Sequence, residues 1–214
     1  MMKPIVILGC GGHGRVVADV ARACGRSVSG FLDTHIKQAQ FVGGLKILGG
    51  DACLDDARFV AAHEFVAGVA DQQGRRRLAT LVKERHGVLA TLVHPSAVIA
   101  PDVRIGEGTV VVAGSVVNPG AVLGSFVIVN TGATVDHDCE LADGVHIAPG
   151  AHLAGAVTCG VDAFVGLGAL VIQGRRIGAR AVVGAGAVVI ADVPDGVTVV
   201  GCPARIIQRT SDLG

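Results

Sequence analysis

Residues 97–120 read AVIAPD VRIGEG TVVVAG SVVNPG, and cutting after every sixth residue is what makes them intelligible. Ile99, Ile105, Val111 and Val117 recur at the third place, and Asp or Gly closes each group. The frame continues without an insertion to Asp192, giving sixteen hexads; the third place is Ile, Val or Leu in fifteen of them and Cys159 in the other. A helix would drift out of phase with this pattern within two turns, and a plain strand would alternate with period two. A Val- and Gly-rich sandwich would show turn signals every 8–12 residues, not every six. Period six fits short strands joined by tight turns and coiled so that every third place points inward. Three hexads then close one triangular coil, and successive coils stack at the strand spacing of ~4.8 Å. The corners take residues that tolerate unusual backbone angles. The expected fold over 93–198 is a parallel β-helix, with 199–214 as a C-terminal tail.

Upstream the pattern is different. Pro4–Leu8 is a short apolar run, GCGGHG follows it, and Arg15–Cys24 has helical spacing, with Val16, Val17, Val20, Ala21 and Cys24 on one face. Gly25 stops that helix, and Ser27–Leu32 reads as a second strand ending at Asp33, which completes a βαβ unit. Glu64–Ala70 reads as a strand, Gln73–His86 as a helix and Val88–Val93 as a last strand. Residues 1–92 are therefore expected to form a small Rossmann-like α/β domain.

Composition narrows the function. Lys+Arg and Asp+Glu balance at 18 each, so no basic surplus points to nucleic acid or an anionic membrane. The dense basic cluster Arg75-Arg76-Arg77 reads as a solvated helix face. No apolar run approaches the ~20 residues of a membrane span, and the apolar run in MMKPIVILG is too short for a signal-peptide core. The six cysteines show no CxxC pair and no framework spacing, as in small hydrophobes of a reducing compartment. A cytoplasmic location is expected.

Against this inert background, NTGATVDHDCELADGVHIAPGA (residues 130–151) gathers histidines and acids. The hexads resemble the [LIV]-G-x4 repeat of left-handed β-helix acyltransferases. Together with GCGGHGRVV near the N-terminus and GCPAR near the C-terminus, NTGATVDHD resembles one branch of them. These are the trimeric, acetyl-CoA-dependent N-acetyltransferases of nucleotide-linked amino sugars, of the bacillosamine and perosamine type, with sialic acid O-acetyltransferases as relatives. Within the branch the resemblance is greatest to the enzymes acting on GDP-perosamine. It implies an acetylated 4-amino group on a deoxyamino sugar, and a homotrimer with sites between subunits. The alternatives are acetylation of a sugar hydroxyl and, less favoured, nicotinamide binding by the GxGxxG loop.

Coil geometry gives those residues tasks. Residues 18 apart stack, so His137 lies directly beneath Gly155. A base for the nucleophile's proton then adjoins a backbone N–H for the oxyanion, as acyl transfer requires. Asp138 is placed to orient the imidazole, with Asp136 as the rival partner. The resemblance further implies that His146 contacts acetyl-CoA, that Asn130 lines the same pocket, and that Leu167 and Ala185 hold the pantetheine arm by their backbone. It also implies that Arg205 meets a CoA phosphate. A zinc site is not expected: ligands must converge within ~2.1 Å of one point, whereas His146 and His152 occupy equivalent places on successive faces and diverge.

At the other end, Gly9-Cys10-Gly11-Gly12-His13-Gly14 fits G-x-G-x-x-G after a strand and before a helix. The domain is too short for both halves of a dinucleotide fold, but half of one still offers a helix N-terminus to a pyrophosphate. Gly11, Gly12, His13 and Gly14 are expected to hold the phosphates, Asp33 the base or ribose, and Gly68–Asp71, with Ala70, to wall the pocket. In the UDP-sugar members a second acid follows the first. Here it is Thr34, a departure that weighs against uracil.

Overall fold

The computed structural model describes residues 2–36 and 40–209, and the chain divides into two compact units, Met1–His94 and Pro95–Gly214. The first is built on β1 (Ile5–Leu8), α1 (Gly12–Ala23), β2 (Val28–Leu32), β3 (Phe41–Val42), β4 (Leu45–Gly49), α2 (Ala57–Ala62), β5 (Glu64–Ala67), α3 (Gln72–Glu84) and β6 (Val88–Leu89). The sheet order is β3-β4-β2-β1-β5-β6. β1 lies between β2 and β5, parallel to both, and all four of its side chains are fully buried. The chain leaves β1 toward β2 on one side and returns at β5 on the other. Their carboxyl ends therefore flank a switch-point crevice, where α/β sheets receive ligands.

Helix α1 begins at Gly12, three residues before the apolar spacing starts, because the glycine loop itself supplies its first turn. Val17, Ala18, Val20 and Ala21 form its buried stripe. The expected strand Val88–Val93 is interrupted: Val88–Leu89 pairs with β5, and Leu92–Val93 is a separate two-residue strand. The Arg75–Arg77 reading needs correction. Arg75 is only 1% exposed, and its Nη1 donates to the Ala70 carbonyl at 2.7 Å. Asp71 caps α3 by accepting from the Gly74 N–H at 2.6 Å, and this turns the helix so that position 75 faces inward, with Leu78, Ala79 and Val82.

The second unit is a left-handed parallel β-helix. Each hexad contributes a two-residue strand at its second and third places, and strands 18 residues apart pair in parallel. Thus Val116, Thr134, His152, Leu170 and Val188 are successive partners on one face. The third-place aliphatics fill the interior, as Val129, Val135, Ile147 and Val165 do at 0% exposure. The first place is buried too, with Ala133, Cys139, Ala151 and Ala169 at 0%. Its small residues fit because two sides of the triangle meet there. From Gly108 to Gly186 the sixth place turns each corner with positive φ, mostly on glycine, but also on Phe126, Asp138, Ala156, Asp162 and Arg180. Val197–Val200 and Arg205–Arg209 end the unit as an antiparallel pair.

Candidate functional site

One corner of the β-helix stacks Pro119, His137, Gly155 and Gln173. The N–H following each of the upper three residues donates to the carbonyl of the residue below: Asp138 to Pro119 at 3.0 Å, Ala156 to His137 at 2.8 Å and Gly174 to Gly155 at 2.9 Å. This ladder fixes the height of His137. Its ring is fixed by Asp138, whose Oδ2 lies 2.9 Å from Nδ1. A carboxylate only accepts, so Nδ1 carries the proton and Nε2 keeps its lone pair. Asp138 takes the left-handed corner conformation, φ 57°. Its Oδ1 occupies the space a Cβ on Gly120 would need, 2.5 Å away, so glycine one coil below makes room for the orienting acid.

The open side of the ring rests on Gly155. A Cβ there would strike Nε2 and lie 3.0 Å from Cδ2. The Gly155 N–H has no acceptor among the described residues. A basic nitrogen and a donor with no acceptor among the described residues thus adjoin at one corner, the imidazole exposed and Gly155 buried beneath it. The Asp138 hydrogen bond, aided by the charges of Asp136 and Asp138, raises the His137 pKa above its ordinary 6.5 against the opposing effect of desolvation. Asp136 does not pair with the ring. Its Oδ1 accepts from the His137 N–H and from Asn118 Nδ2, both at 2.8 Å. Of the two acids left open by the sequence, Asp138 is the one whose carboxylate pairs with the ring. Asn118 was not anticipated, although the 18-residue rule that joins His137 to Gly155 also joins Asn118 to Asp136.

The other β-helix residues singled out lie elsewhere on the prism. Leu167 and Ala185 stack at the next corner, where the Gly186 N–H donates to the Leu167 carbonyl at 2.8 Å, and Leu167 is 57% exposed. Beside that corner Asn130 Nδ2 lies 3.3 Å from His146 Nε2, and His146 packs edge-on against Phe164 with centroids 5.2 Å apart. His146 is 5% exposed. The face carrying Thr134 and His152 separates this corner from His137, a span of one hexad, roughly 15–20 Å by strand rise. A single chain therefore does not bring the two groups together. Arg205 is exposed, and its Nη1 donates to the Ala204 carbonyl at 2.9 Å.

In the first unit the glycines divide into two kinds. A Cβ on Gly14 would strike the Gly9 carbonyl, and one on Gly68 would lie 2.6 Å from that oxygen. These two let α1 and the β5 loop pack onto β1. A Cβ on Gly11 or Gly12 would meet nothing within 4 Å, so the backbone there is open to a ligand at the helix N-terminus. Asp33 Oδ2 accepts from the Cys10 N–H at 3.1 Å and from its thiol at 3.2 Å, while Oδ1 accepts from the His35 N–H at 2.9 Å. Partial burial pushes the Asp33 carboxyl up, but these hydrogen bonds outweigh it and hold the pKa below its usual value. Burial, with the nearby Arg75 guanidinium, depresses His13 to about 4, so the imidazole is neutral at pH 7. Thr34 is exposed beside Gly50, and the Ala70 carbonyl holds Arg75.

Comparison with known proteins agrees with both units. Residues 4–82 match the PglD N-terminal domain family. UDP-N-acetylbacillosamine N-acetyltransferase of Bacillus subtilis (strain 168) is 39% identical over 115 residues, 52% of this chain and 52% of that protein. The match spans about half the length of this curated relative. Among solved structures, the acetyltransferase domain of PglB from Neisseria gonorrhoeae FA1090 superposes with a TM-score of 0.92 at 39% identity, over 96% of this chain and 100% of that one. It has also been solved in complex with acetyl coenzyme A. PerB from Caulobacter crescentus, in complex with CoA and GDP-perosamine, gives a TM-score of 0.91 at 40% identity, over 97% of this chain and 99% of that one. Likeness of this extent places the chain in the class of left-handed β-helix acyltransferases. More narrowly, it belongs to the family of nucleotide-sugar N-acetyltransferases of the bacillosamine and perosamine type.

Proposed function

We propose that this protein transfers the acetyl group of acetyl-CoA to the 4-amino group of a nucleotide-linked deoxyamino sugar, with GDP-perosamine as the best candidate. The observation that carries the reading is the corner at which His137, oriented by Asp138, rests on Gly155. The free amine attacks the thioester carbonyl, forming the C–N bond, and the Gly155 N–H stabilises the oxyanion. His137 Nε2 takes the amine proton. The C–S bond then breaks, and the thiolate recovers a proton from the imidazolium, leaving an amide and free CoA.

The nucleotide half of the substrate is assigned to the first unit, its pyrophosphate against Gly11 and Gly12, with His13 and Asp33 beside it. Thr34, in place of a second acid, weighs against a uracil nucleotide. Asn130, His146, Leu167, Ala185 and Arg205 are assigned to acetyl-CoA. They lie one face away from His137, so the site is completed by a neighbouring copy in a homotrimer. The apolar outer positions Leu170 (43% exposed), Ile172 (37%) and Ile190 (47%) on the intervening face suit such contact. The test is a thermal-shift and turnover panel of GDP-, UDP- and dTDP-linked 4-amino sugars with and without acetyl-CoA. Acetylation of a GDP-linked amine supports the reading. Stabilisation by NADH and none by acetyl-CoA overturns it, and turnover of a hydroxyl sugar alone makes the protein an O-acetyltransferase.

A further inference from the structure

Two carboxylates flank His137 in sequence, and chemically either serves equally well as a partner for the ring. Only Asp138 takes it, with Oδ2 2.9 Å from Nδ1. The other acid is occupied. Asp136 Oδ1 receives two donors, the His137 N–H at 2.8 Å and Asn118 Nδ2 at 2.8 Å. The β-helix register sets this up. Val117 pairs with Val135, so Asn118 and Asp136 stand one above the other at the fourth place of their hexads. Their backbones are fixed by the Asn118 N–H to Val135 carbonyl bond at 2.9 Å and the Asp136 N–H to Leu153 carbonyl bond at 3.1 Å.

We propose that Asn118 is a positioning residue that keeps Asp136 off the His137 imidazole, so that Asp138 alone orients the ring. The catalytic consequence rests on the function proposed above; the side-chain arrangement does not. An unrestrained Asp136 has two ways to spoil the site. Pairing with Nδ1 draws the ring toward the Thr134–His152 face and off Gly155. Pairing with a protonated Nε2 places a carboxylate where the substrate amine must approach and holds the proton there. An amide suits the restraint because it donates to the carboxylate without adding charge. A carboxylate at 118 would repel Asp136, and an ammonium would cancel the charge that His137 feels from it.

A merely structural rung makes a different prediction, and a mutant cycle on the full chain separates the two. The variants are Asn118→Ala, Asp136→Ala and the double. Asn118→Ala should lower kcat on the order of tenfold, short of the ~10²-fold that an ångström of misplacement can cost, with both KM values and Tm unchanged. Adding Asp136→Ala should restore kcat to that of Asp136→Ala alone, because the competitor for the ring is gone. Nitrogen-15 NMR of the His137 imidazole gives a readout independent of turnover. The wild type should show a single Nδ1–H tautomer with one set of ring-nitrogen resonances, and Asn118→Ala a second set, from Nδ1–H on its new partner or from Nε2–H, that the double variant lacks. A second set with unchanged kcat upholds the restraint and counts against His137 as the base. Unchanged ring-nitrogen resonances in Asn118→Ala, or a double variant no better than Asn118→Ala, overturns the proposal.

Discussion

The imidazole of His137 rests on the Cα of Gly155, residues 18 apart in sequence and one coil apart in space, so closely that any Cβ at 155 would strike Nε2. Glycine is needed here for close approach, and φ plays no part. Gly155→Ala must therefore displace the ring or the corner. The expected result is a fall in kcat on the order of 10²-fold, as for an ångström of misplacement, with little change in Tm if the exposed His137 ring swings aside to admit the methyl group. Steady-state kinetics and a melting curve check it; unchanged kcat would mean that the ring does not work from this position.

The two kinds of glycine in the N-terminal loop should respond oppositely. Gly11→Val adds a side chain that meets no protein atom within 4 Å, so stability should hold while the nucleotide-sugar KM rises and acetyl-CoA affinity stays the same. Gly14→Ala forces a methyl group against the Gly9 carbonyl and should destabilise the unit by about 1–3 kcal/mol, as overpacking does. Thermal melts paired with KM values for each substrate separate the two outcomes. Equal loss of both affinities in Gly11→Val would mean that the loop is only structural.

The pH dependence follows from the raised pKa of His137. A base works as the neutral form, so activity should rise with pH through a group titrating above the ordinary 6.5 of histidine. Asp138→Asn keeps an acceptor for Nδ1–H but removes the charge that favours imidazolium. Its kcat should fall less than on loss of the base, and the acid limb of its profile should move to lower pH. A profile that does not shift in Asp138→Asn would deny that carboxylate its influence on the titrating group.

The separation of the two corners on one chain makes mixing experiments informative. Chains carrying His137→Asn and chains carrying Asn130→Ala should each be poorly active alone. Co-expressed, they should form some sites with both residues intact and recover part of the activity. No recovery on mixing, or light scattering that shows a stable monomer at micromolar concentration, would place the whole site within one chain.

What the sequence disclosed and what it hid have a common cause. The hexad frame is one-dimensional and regular, so counting by 18 placed His137 under Gly155 before any coordinates, and the same count reaches Asn118 and Asp136. The sixth-place corners were also legible, because only a few residue types tolerate positive φ cheaply. The choice between Asp136 and Asp138 was not, since it depends on which carboxylate finds another partner first, and that is a matter of side-chain torsions. Arg75 misled for a related reason. Three consecutive arginines look like a solvated face, but a helix turns about 100° per residue, and the Asp71 cap decides which of the three points inward. The α/β unit offered less periodicity, and the β3–β4 hairpin and α2, which lie between its two clear βα segments, carried no pattern strong enough to read.

The most direct test of the account is the turnover of His137→Asn. The amide keeps the approximate size and some hydrogen bonding but cannot take the amine proton. Loss of a positioned base costs typically 10²–10⁴-fold, so kcat should fall by that order with both KM values and Tm nearly unchanged. Full turnover in a folded His137→Asn would contradict the account, by showing that the proton leaves through water or the substrate and that this corner is not where the chemistry is done.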